Sequence, residues 1–475
     1  MDRDAEQLRK LGYAQQLLRD MGGFANFALS FSIISILTGA VTLYGHGLRY
    51  GGPLQMLAGW PLVTLFTLPI AMSLAELASA YPTAGALYHW SSWLGGRGAG
   101  FFTAWLNTIG QFAITAGIDY GLAEFVAAML GFEGRTSTLL LCVAILASHA
   151  VLNHLGVRLV ARLNDLSAWV HIVGVAVIVG ALAFFAPHQP RQFLLQRSGG
   201  PFAVGLLLAC WTFTGYDASA HASEETHDPS RNAPWGMVLA VAVSGVAGYA
   251  LLLAVTLSIG DLGATAAADN PFIFALRGAL GGRTGSALVW IAMAAMWFCG
   301  LSSVTSNSRM LFAFARDGGL PFSAALASVS PRFKSPHVAV WVSAAAALAV
   351  ALWSALAVAL SSDAYSPMVY SAMVGLSTVA LYASYAMPIA CRLLARGEAR
   401  RGPWNLGRAS TAINVVALLW IATCGVLFVL PPNLVAGYTF AGLLTLLAAY
   451  WYFAQRHRFQ GPLAVRSNSK SSQAQ

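Results

Sequence analysis

The sequence predicts an all-α polytopic membrane protein with twelve transmembrane helices. Hydrophobic residues make up 57% of the 475 residues and charged residues only 9%, against about 25% charged residues in an ordinary soluble domain. A membrane-spanning helix needs about 20 mostly apolar residues, and the chain contains twelve such runs between short polar or Pro/Gly-containing breaks. The first and sixth runs both carry a Thr-Gly pair, at Thr38-Gly39 and Thr214-Gly215. Because five spans separate them, the two runs cross the membrane in opposite directions, which indicates an internal inverted repeat.

The first five predicted helices follow the apolar runs in order. The first has Ser, Thr and Gly near mid-span, and a helix broken at membrane depth is tolerated only where it lines a cavity or packs in protein. The third carries Asn107, Gln111, Thr115 and Asp119 at i+4 steps on one face, typical either of contacts between helices or of a wet cavity. The predicted spans are about Phe24 to Tyr50, Leu54 to Ala80, Gly98 to Leu130, Thr138 to Leu155 and Asp165 to Phe185.

The remaining seven helices continue the same alternation. The eighth contains a cluster of hydroxyl side chains that includes Ser302 and Ser303, and the last two lack interior ionisable groups, as expected of packing or lipid-facing helices. The predicted spans of the sixth to the tenth helix are about Pro201 to Glu225, Pro234 to Ile259, Thr284 to Phe314, Val338 to Leu360 and Tyr365 to Leu393.

Two polar segments are predicted to stay outside the bilayer. Residues 1–23 are interpreted as a solvated cytoplasmic tail with a short surface helix. The Gly-rich segment GALYHWSSWLGG, 85–96, is interpreted as a cytoplasmic connection. The N-terminal residues are charged throughout and lack the apolar core of a cleaved signal peptide.

The basic residues are distributed unevenly between the two sides of the predicted bundle. The net charge of +9 would suit a nucleic-acid partner, but 21 of the 27 Lys and Arg residues fall on the side of the two termini. Cytoplasmic loops carry such an excess. The charge therefore predicts a multi-pass protein of the cytoplasmic membrane with both termini in the cytoplasm, and no nucleic-acid partner.

The stretch 211–226, WTFTGYDASAHASEET, places an acid inside an apolar run. Asp217 and His221 lie one helical turn apart, and an Asp at the centre of a membrane helix costs roughly 2.5 to 3.5 kcal/mol, so its default interpretation is a functional site. The alternative is that Asp217 pairs with His221 or with a backbone donor and holds the helix in shape. The five cysteines all lie in apolar runs, where small buried side chains are expected, and indicate neither disulfides nor a metal site.

The motifs along the chain resemble those of one transporter superfamily. They occur in the same order as in that superfamily and cover helices 1 to 11: FSIISILTGAVTLYGHGLRYGGP (31–53), AELASAYPTAGALYHW (75–90), NDLSAWVHIVGV (164–175), WTFTGYDASAHASEET (211–226), SNSRMLFAFARDGGLP (306–321) and GPWNLGRAS (402–410). On these motifs the chain resembles the amino acid–polyamine–organocation superfamily, and within it the amino acid and choline transporter branch.

The resemblance implies a five-plus-five inverted repeat with broken helices 1 and 6, two extra C-terminal helices, and alternating access without ATP or a cofactor. The transport core would be 24–395, followed by helices 11 and 12 in 396–456 and a cytoplasmic tail at 457–475. The implied function is a permease for an amino acid or a related small amine, coupled to protons or exchanging substrates. A sodium-coupled carrier and a choline or polyamine carrier remain alternatives.

Simple electrostatics predicts a substrate site at the two breaks. The positive N-terminal end of a half-helix binds a carboxylate, and the negative C-terminal end attracts an ammonium. The resemblance assigns the carboxylate to Thr38 and Gly39 on helix 1. It assigns the amino group to Ser35 and Ile36 with Trp211, Thr212 and Thr214, and the stretch up to Gly215 completes the helix 6 break. The aromatic rings of Trp211, Phe213 and Tyr216 could also receive a quaternary ammonium.

Four residues are candidates for ion coupling. Asp217 could take up a proton during transport or balance the charge of a cationic substrate. By resemblance, His171 lies where some proton-coupled relatives have a lysine, and a histidine titrates near neutral pH. Ser302 and Ser303 would form the opposite wall of the same site and favour sodium. No metal ligand set is predicted.

Two other protein classes are weighed against a transporter. The chain lacks the HExxH and GxSxG motifs and paired carboxylates at metal-ligand spacing, which argues against an intramembrane enzyme. A channel would conduct far more than about a thousand ions per second without saturation, so electrical recording separates it from a carrier.

Overall fold

The computed structural model describes residues 3–360, 366–395, 400–429 and 433–462, with the backbone alone at 357–360 and 366–372. Within these ranges eleven helices are long and apolar enough to span a membrane, and a shorter broken helix at 202–221 completes a set of twelve segments. The predicted start of the tenth helix at Tyr365, the boundary at 396 and the tail beyond residue 462 lie outside the described residues.

The twelve segments are numbered α1 to α12 in chain order, and the halves of the broken ones carry the letters a and b. Their bounds are Gly23–Ile34 (α1a), Gly39–Thr42 with Tyr44–Gly51 (α1b), Gln55–Ala80 (α2), Leu87–Leu130 (α3), Arg135–His154 (α4), Val157–Phe185 (α5), Phe202–Thr212 (α6a), Ala218–His221 (α6b), Pro229–Leu257 (α7), Gly282–Arg316 (α8), His337–Leu360 (α9), Ser366–Leu394 (α10), Ser410–Leu427 (α11) and Leu434–Tyr450 (α12).

Both predicted helix breaks are present. α6 stops at Thr212, and Gly215 has a φ of +86°, a conformation that favours glycine. α1 breaks three residues before the predicted position, because Ser35 already leaves the helix with a φ of +31°. The helix resumes at Gly39. The break in α1 therefore covers residues 35–38, and its N-terminal half ends without a glycine.

The prediction for the segment before α3 is wrong. Residues 87–92 are helical and fully buried, and they join the membrane helix across a kink at Gly96, where φ is +84°. The segment is polar because its side chains have partners inside the protein. Tyr88 donates to Asp317, and Trp90 donates to the carbonyl of Tyr81. The fifth helix also differs from its prediction, because α5 begins at Val157 and not at Asp165.

The prediction of a solvated N-terminal tail is also wrong. Leu8, Leu11, Tyr13 and Leu17 are each no more than 5% exposed. The segment crosses the ends of α6 and α8, and Met21 forms a β-bridge with Thr226. We call this end of the molecule the terminus-side face, and the end that carries residues 131–134 and 260–281 the opposite face.

Glycines bring α2 and α7 into close contact. The indole N–H of Trp60 donates to the carbonyl of Gly245 at 2.8 Å. A Cβ atom at Gly248 would collide with the Trp60 ring. Small residues at helix interfaces allow such close approach in membranes.

We expect Gly248→Ala to lower the free energy of unfolding by about 1–3 kcal/mol, since overpacking of this size forces the neighbouring ring to move. The matched control is Gly180→Ala in α5, where an added Cβ has open space. Denaturation of both variants in detergent measures the difference. Equal stability of the two variants would contradict the packing argument.

A candidate substrate site between two broken helices

A small cavity lies between the two helix breaks. It is bounded by α1, α3, α6 and α8. Four of the predicted substrate-binding residues line it: Thr38, Gly39, Trp211 and Thr212. The other lining residues are Ile33, Ile34, Ile114, Ile118 and Cys299. The cavity thus has apolar walls and a helix break on two sides.

The close crossing of α1 and α6 depends on two glycines. A Cβ atom at Gly39 would collide with both the side chain and the backbone of Thr212. A Cβ atom at Gly215 would collide with Ile33. Since the Gly215 backbone also has a positive φ, a larger residue there is excluded by conformation as well as by space.

The α1 break presents hydroxyl and N–H groups close to the cavity. The N–H groups of Thr38 and Gly39 both donate to the carbonyl of Ser35, at 2.7 and 2.9 Å. The hydroxyls of Ser35 and Thr38 are 2.6 Å apart. A carboxylate that reaches these N–H groups therefore competes with the Ser35 carbonyl.

The α6 break presents the C-terminal end of a half-helix. The carbonyl of Trp211 accepts from the N–H and the hydroxyl of Thr214, and the carbonyl of Cys210 accepts from Tyr382. The indole of Trp211 donates to Ser377 at 3.0 Å, which holds the ring across the cavity wall. The negative end of the helix dipole faces this point.

Six of the predicted substrate residues do not line the cavity: Ser35, Ile36, Phe213, Thr214, Gly215 and Tyr216. The ring of Phe213 packs against Trp60 with centroids 4.8 Å apart. The ring of Tyr216 packs against Tyr385 with centroids 5.1 Å apart. Both rings are fully buried among other helices, so neither offers a free face to a bound amine in this conformation.

Asp217 lies at the start of α6b in a complete set of contacts. One carboxylate oxygen accepts from the Tyr385 hydroxyl at 2.9 Å, and the other accepts from the Asn107 amide at 3.1 Å. His221 Nε2 lies 3.3 Å from the second oxygen. Because His221 Nδ1 faces the carbonyl of Ala84, it must carry a proton. In a neutral ring Nε2 then carries no proton, and it has no hydrogen-bond partner among the described residues.

His171 connects α5 to the α1 break. Its Nδ1–H donates to the carbonyl of Ser167 at 2.8 Å, and its Nε2 lies 2.7 Å from the Ser35 hydroxyl. A neutral ring accepts from Ser35, whereas a charged ring donates to it. Since Ser35 also contacts Thr38, the charge of His171 sets the direction of hydrogen bonding beside the cavity.

Ser302 and Ser303 bond to two different helices. Ser302 donates to Asn164 on α5 at 3.0 Å, and Ser303 pairs with Thr115 on α3 at 2.7 Å. Cys299, one turn earlier on α8, lies at the α1 break, where its thiol donates to the carbonyl of Ile33. The ion site proposed at the two serines stays a prediction.

Two buried ion pairs close the terminus-side face. Glu225 receives two hydrogen bonds from Arg309, at 2.9 and 3.0 Å, and Glu224 receives two from Arg316, at 2.8 and 2.9 Å. Together they tie the end of α6 to the end of α8.

A third cluster, which no sequence pattern indicates, lies beside these ion pairs. Asp317 accepts from Tyr13 at 2.8 Å and from Tyr88 at 3.0 Å, and His89 lies 3.0 Å away. Burial alone would raise the pKa of Asp317, but the hydrogen bond and charge of His89 and the charge of Arg316 outweigh it and lower that pKa. Asp317 is thus held as a carboxylate that fastens the N-terminal segment.

Comparison with known proteins decides the family. Residues 22–450 match the family described as amino acid permease. The chain belongs to the amino acid permease family. This permease is 35% identical to "Amino-acid permease BAT1" of Arabidopsis thaliana, with 98% of this chain and 97% of that protein aligned. It is 27% identical to the "GABA-specific permease" of Saccharomyces cerevisiae, with 90% and 77% aligned.

A solved structure shows that the permease has a transporter fold. The manganese transporter of Eremococcus coleocola superimposes with a TM-score of 0.61 at 12% identity, over 92% of this chain and 94% of that one. The likeness shows the fold alone. It confirms the predicted all-α transporter fold with broken helices 1 and 6, and the family confirms that this permease is a transporter and not an enzyme.

We expect Asp317→Asn to lower the stability of this permease by about 2 kcal/mol near pH 7, because it weakens hydrogen bonds to a buried charge. The pKa of Asp317 is lower in the folded state, so its contribution is present above the unfolded pKa of about 3.9 and is lost as the pH falls through the folded value.

Denaturation in detergent at several pH values checks this expectation. The difference between wild type and Asp317→Asn should narrow below about pH 4. The control is Asp20→Asn, which removes an exposed pair with Arg158 and should change stability by less than about 1 kcal/mol. A pH-independent difference would count against the charge as the cause.

Proposed function

We propose that the chain is a secondary active transporter that carries an amino acid or a related small amine across the cytoplasmic membrane by alternating access. The observation that carries this proposal is the cavity between the two breaks. Groups that recognise a carboxylate lie on one side, at Thr38 and Gly39, and the end of a helix that attracts an ammonium lies on the other, at Trp211 and Thr212. The amino acid permease relatives support the same substrate class.

The cavity walls favour a substrate with an apolar side chain. The cavity lies between Ile33, Ile34, Ile114 and Ile118. Apolar walls with a few polar groups at the ends are typical of small-molecule sites. Trp211 is the one aromatic ring on the cavity wall, which favours an amino acid over the aromatic cage that a quaternary ammonium prefers.

Alternating access requires that the terminus-side face open at some stage. In this conformation the ion pairs Glu225–Arg309 and Glu224–Arg316 and the N-terminal segment close that face. Breaking a buried pair costs several kcal/mol unless its members find other partners. Movement of α6b away from α8 would break both pairs together. With both termini in the cytoplasm, as the basic residues predict, this face is the cytoplasmic gate.

Protons are the coupling ion that this arrangement supports best. His171 contacts the α1 break through Ser35, and Asp217 lies beside His221 near the α6 break. Each break therefore has a titratable side chain in contact with it. Ser302 and Ser303 already bond to side chains on α5 and α3, so a sodium ion at these serines would compete with those partners.

Exchange in liposomes tests the proposed function. We expect purified protein to exchange a labelled amino acid for unlabelled internal substrate. We expect Asp217→Asn to lower that exchange about tenfold at equal expression, because an amide group replaces one of two carboxylate oxygens that are bonded to Tyr385 and Asn107. A panel of amino acids, polyamines and choline identifies the substrate class. Absence of exchange across the whole panel would contradict the function, and a fully active Asp217→Asn variant would return Asp217 to a structural role.

His171→Ala should reduce proton-driven uptake more than exchange, because exchange needs no net proton movement. The expected difference is about tenfold, the size of a typical coupling between two sites. Uptake under an imposed pH gradient and exchange without one are measured on the same liposomes. The control is His188→Ala, which changes an exposed histidine in a loop. Equal loss of both activities would remove His171 from coupling.

A further inference from the structure

A second buried acid–histidine pair lies outside the substrate site. Asp119 on α3 and His149 on α4 are both fully buried, and His149 Nδ1 lies 3.3 Å from a carboxylate oxygen of Asp119. Two residues close to this pair line the cavity. Ile118 directly precedes Asp119, and Cys299 directly precedes Gly300, which faces the pair. The pair therefore lies directly behind the cavity wall.

Gly300 on α8 has no side chain and so leaves space for the side chains of Asp119 and His149. A Cβ atom there would collide with the second carboxylate oxygen of Asp119 and with the imidazole ring of His149. The ring is also held by Trp297, with centroids 5.2 Å apart. Three helices thus form a compartment around the two side chains, which indicates a built site rather than an incidental contact.

Each side chain in the compartment has one unused polar atom. Oδ1 of Asp119 and Nε2 of His149 have no hydrogen-bond partner among the described residues. A buried polar group without a partner is costly, and an isolated charge at membrane depth costs more. One added proton takes the pair from a net charge of minus one to zero, with the proton on either the imidazole or the carboxylate. The two unpartnered atoms are therefore positions at which the pair can accept a proton.

A polar seam between α3 and α8 joins this pair to the substrate site. Gln111 donates to Ser306 at 3.3 Å, and Thr115 pairs with Ser303 at 2.7 Å. Asp119 faces Gly300 one step further. At its other end, the seam begins at Asn107, which donates to Asp217. The twelve residues from Asn107 to Asp119 span about 18 Å of helix, so one acid–histidine pair lies at each end of the seam.

The two pairs lie at different points of the seam. Asp217 and His221 lie beside the ion pairs that close the terminus-side face, whereas Asp119 and His149 lie beside the cavity wall. The titratable groups that interact with Asp119 are the thiols of Cys142 on α4 and Cys299 on α8. Arg309 approaches His149 only through Asn153 and is engaged by Glu225.

We propose that Asp119 and His149 form a second proton-binding site of the transport cycle, in addition to Asp217 and His221. This inference rests on the proposed proton-coupled function. A shift of α8 along α3 during opening would change the contacts of Gln111, Thr115 and Asp119 along the seam. Release of the proton by one pair is thereby tied to the conformation around the other.

The test uses the full-length protein with Asp119→Asn and His149→Gln. We expect each variant to lower uptake driven by a pH gradient about tenfold while exchange stays within about twofold, since coupling and binding are separate free energies. The matched control is His154→Gln on the same helix, whose ring contacts Phe333 and His337 instead. Its uptake and exchange should both equal those of the wild type.

A second measurement needs no substrate. Infrared difference spectra of the purified protein between high and low pH should contain a protonated carboxyl band that Asp119→Asn removes and His149→Gln shifts. Unchanged gradient-driven uptake in both variants would overturn the proposal, and so would an equal loss of exchange at unchanged thermal stability. Failure of the wild type to exchange any amino acid or amine would instead contradict the proposed function, and the carboxyl band would still decide whether the pair binds a proton.

Discussion

The crossing of the two broken helices is the constraint on which the rest of the structure depends. Gly39 lies against the backbone of Thr212, and Gly215 lies against Ile33. This contact brings the N-terminal end of one half-helix and the C-terminal end of another to the same small cavity. Opposite ends of helix dipoles are thereby presented to the same ligand without any charged side chain on the cavity wall. Recognition by backbone leaves the side chains of the wall free to select by size.

Charge inside the membrane is handled by pairing throughout the described protein. Glu224, Glu225 and Asp217 each have a cationic or titratable partner within 3.3 Å. The two ion pairs contribute to closure, whereas the acid–histidine pairs can change charge by one proton. An arginine pair can only break or re-form, but a histidine pair can also be neutralised in place. The two kinds of pair therefore suit different steps, mechanical closure in one case and ion coupling in the other.

Sequence reasoning located the features that depend on composition and local pattern. Apolar length predicted the twelve segments, and the two Thr-Gly pairs located the breaks to within three residues. Sequence reasoning failed where contacts with distant parts of the chain determine whether a segment is buried. The polar segment before α3 is buried because Asp317 and the N-terminal segment satisfy it, and nothing local to residues 87–92 reveals partners more than 200 residues away. Cys299 was overlooked since a thiol in an apolar run resembles any small core side chain.

The N-terminal segment has a consequence for the resting state of the transporter. Tyr13, Gln15 and Arg19 bond to Asp317, Glu224 and Thr226 at the closed terminus-side face. If that face opens as the proposed function requires, these contacts stabilise the closed conformation alone and bias the population of the two conformations. A ligand that arrives from the opposite face then meets a larger fraction of molecules in the conformation that can bind it. Its apparent affinity rises in proportion to that fraction. Sequence changes in residues 8–21 would thus tune affinity at a site that they never touch.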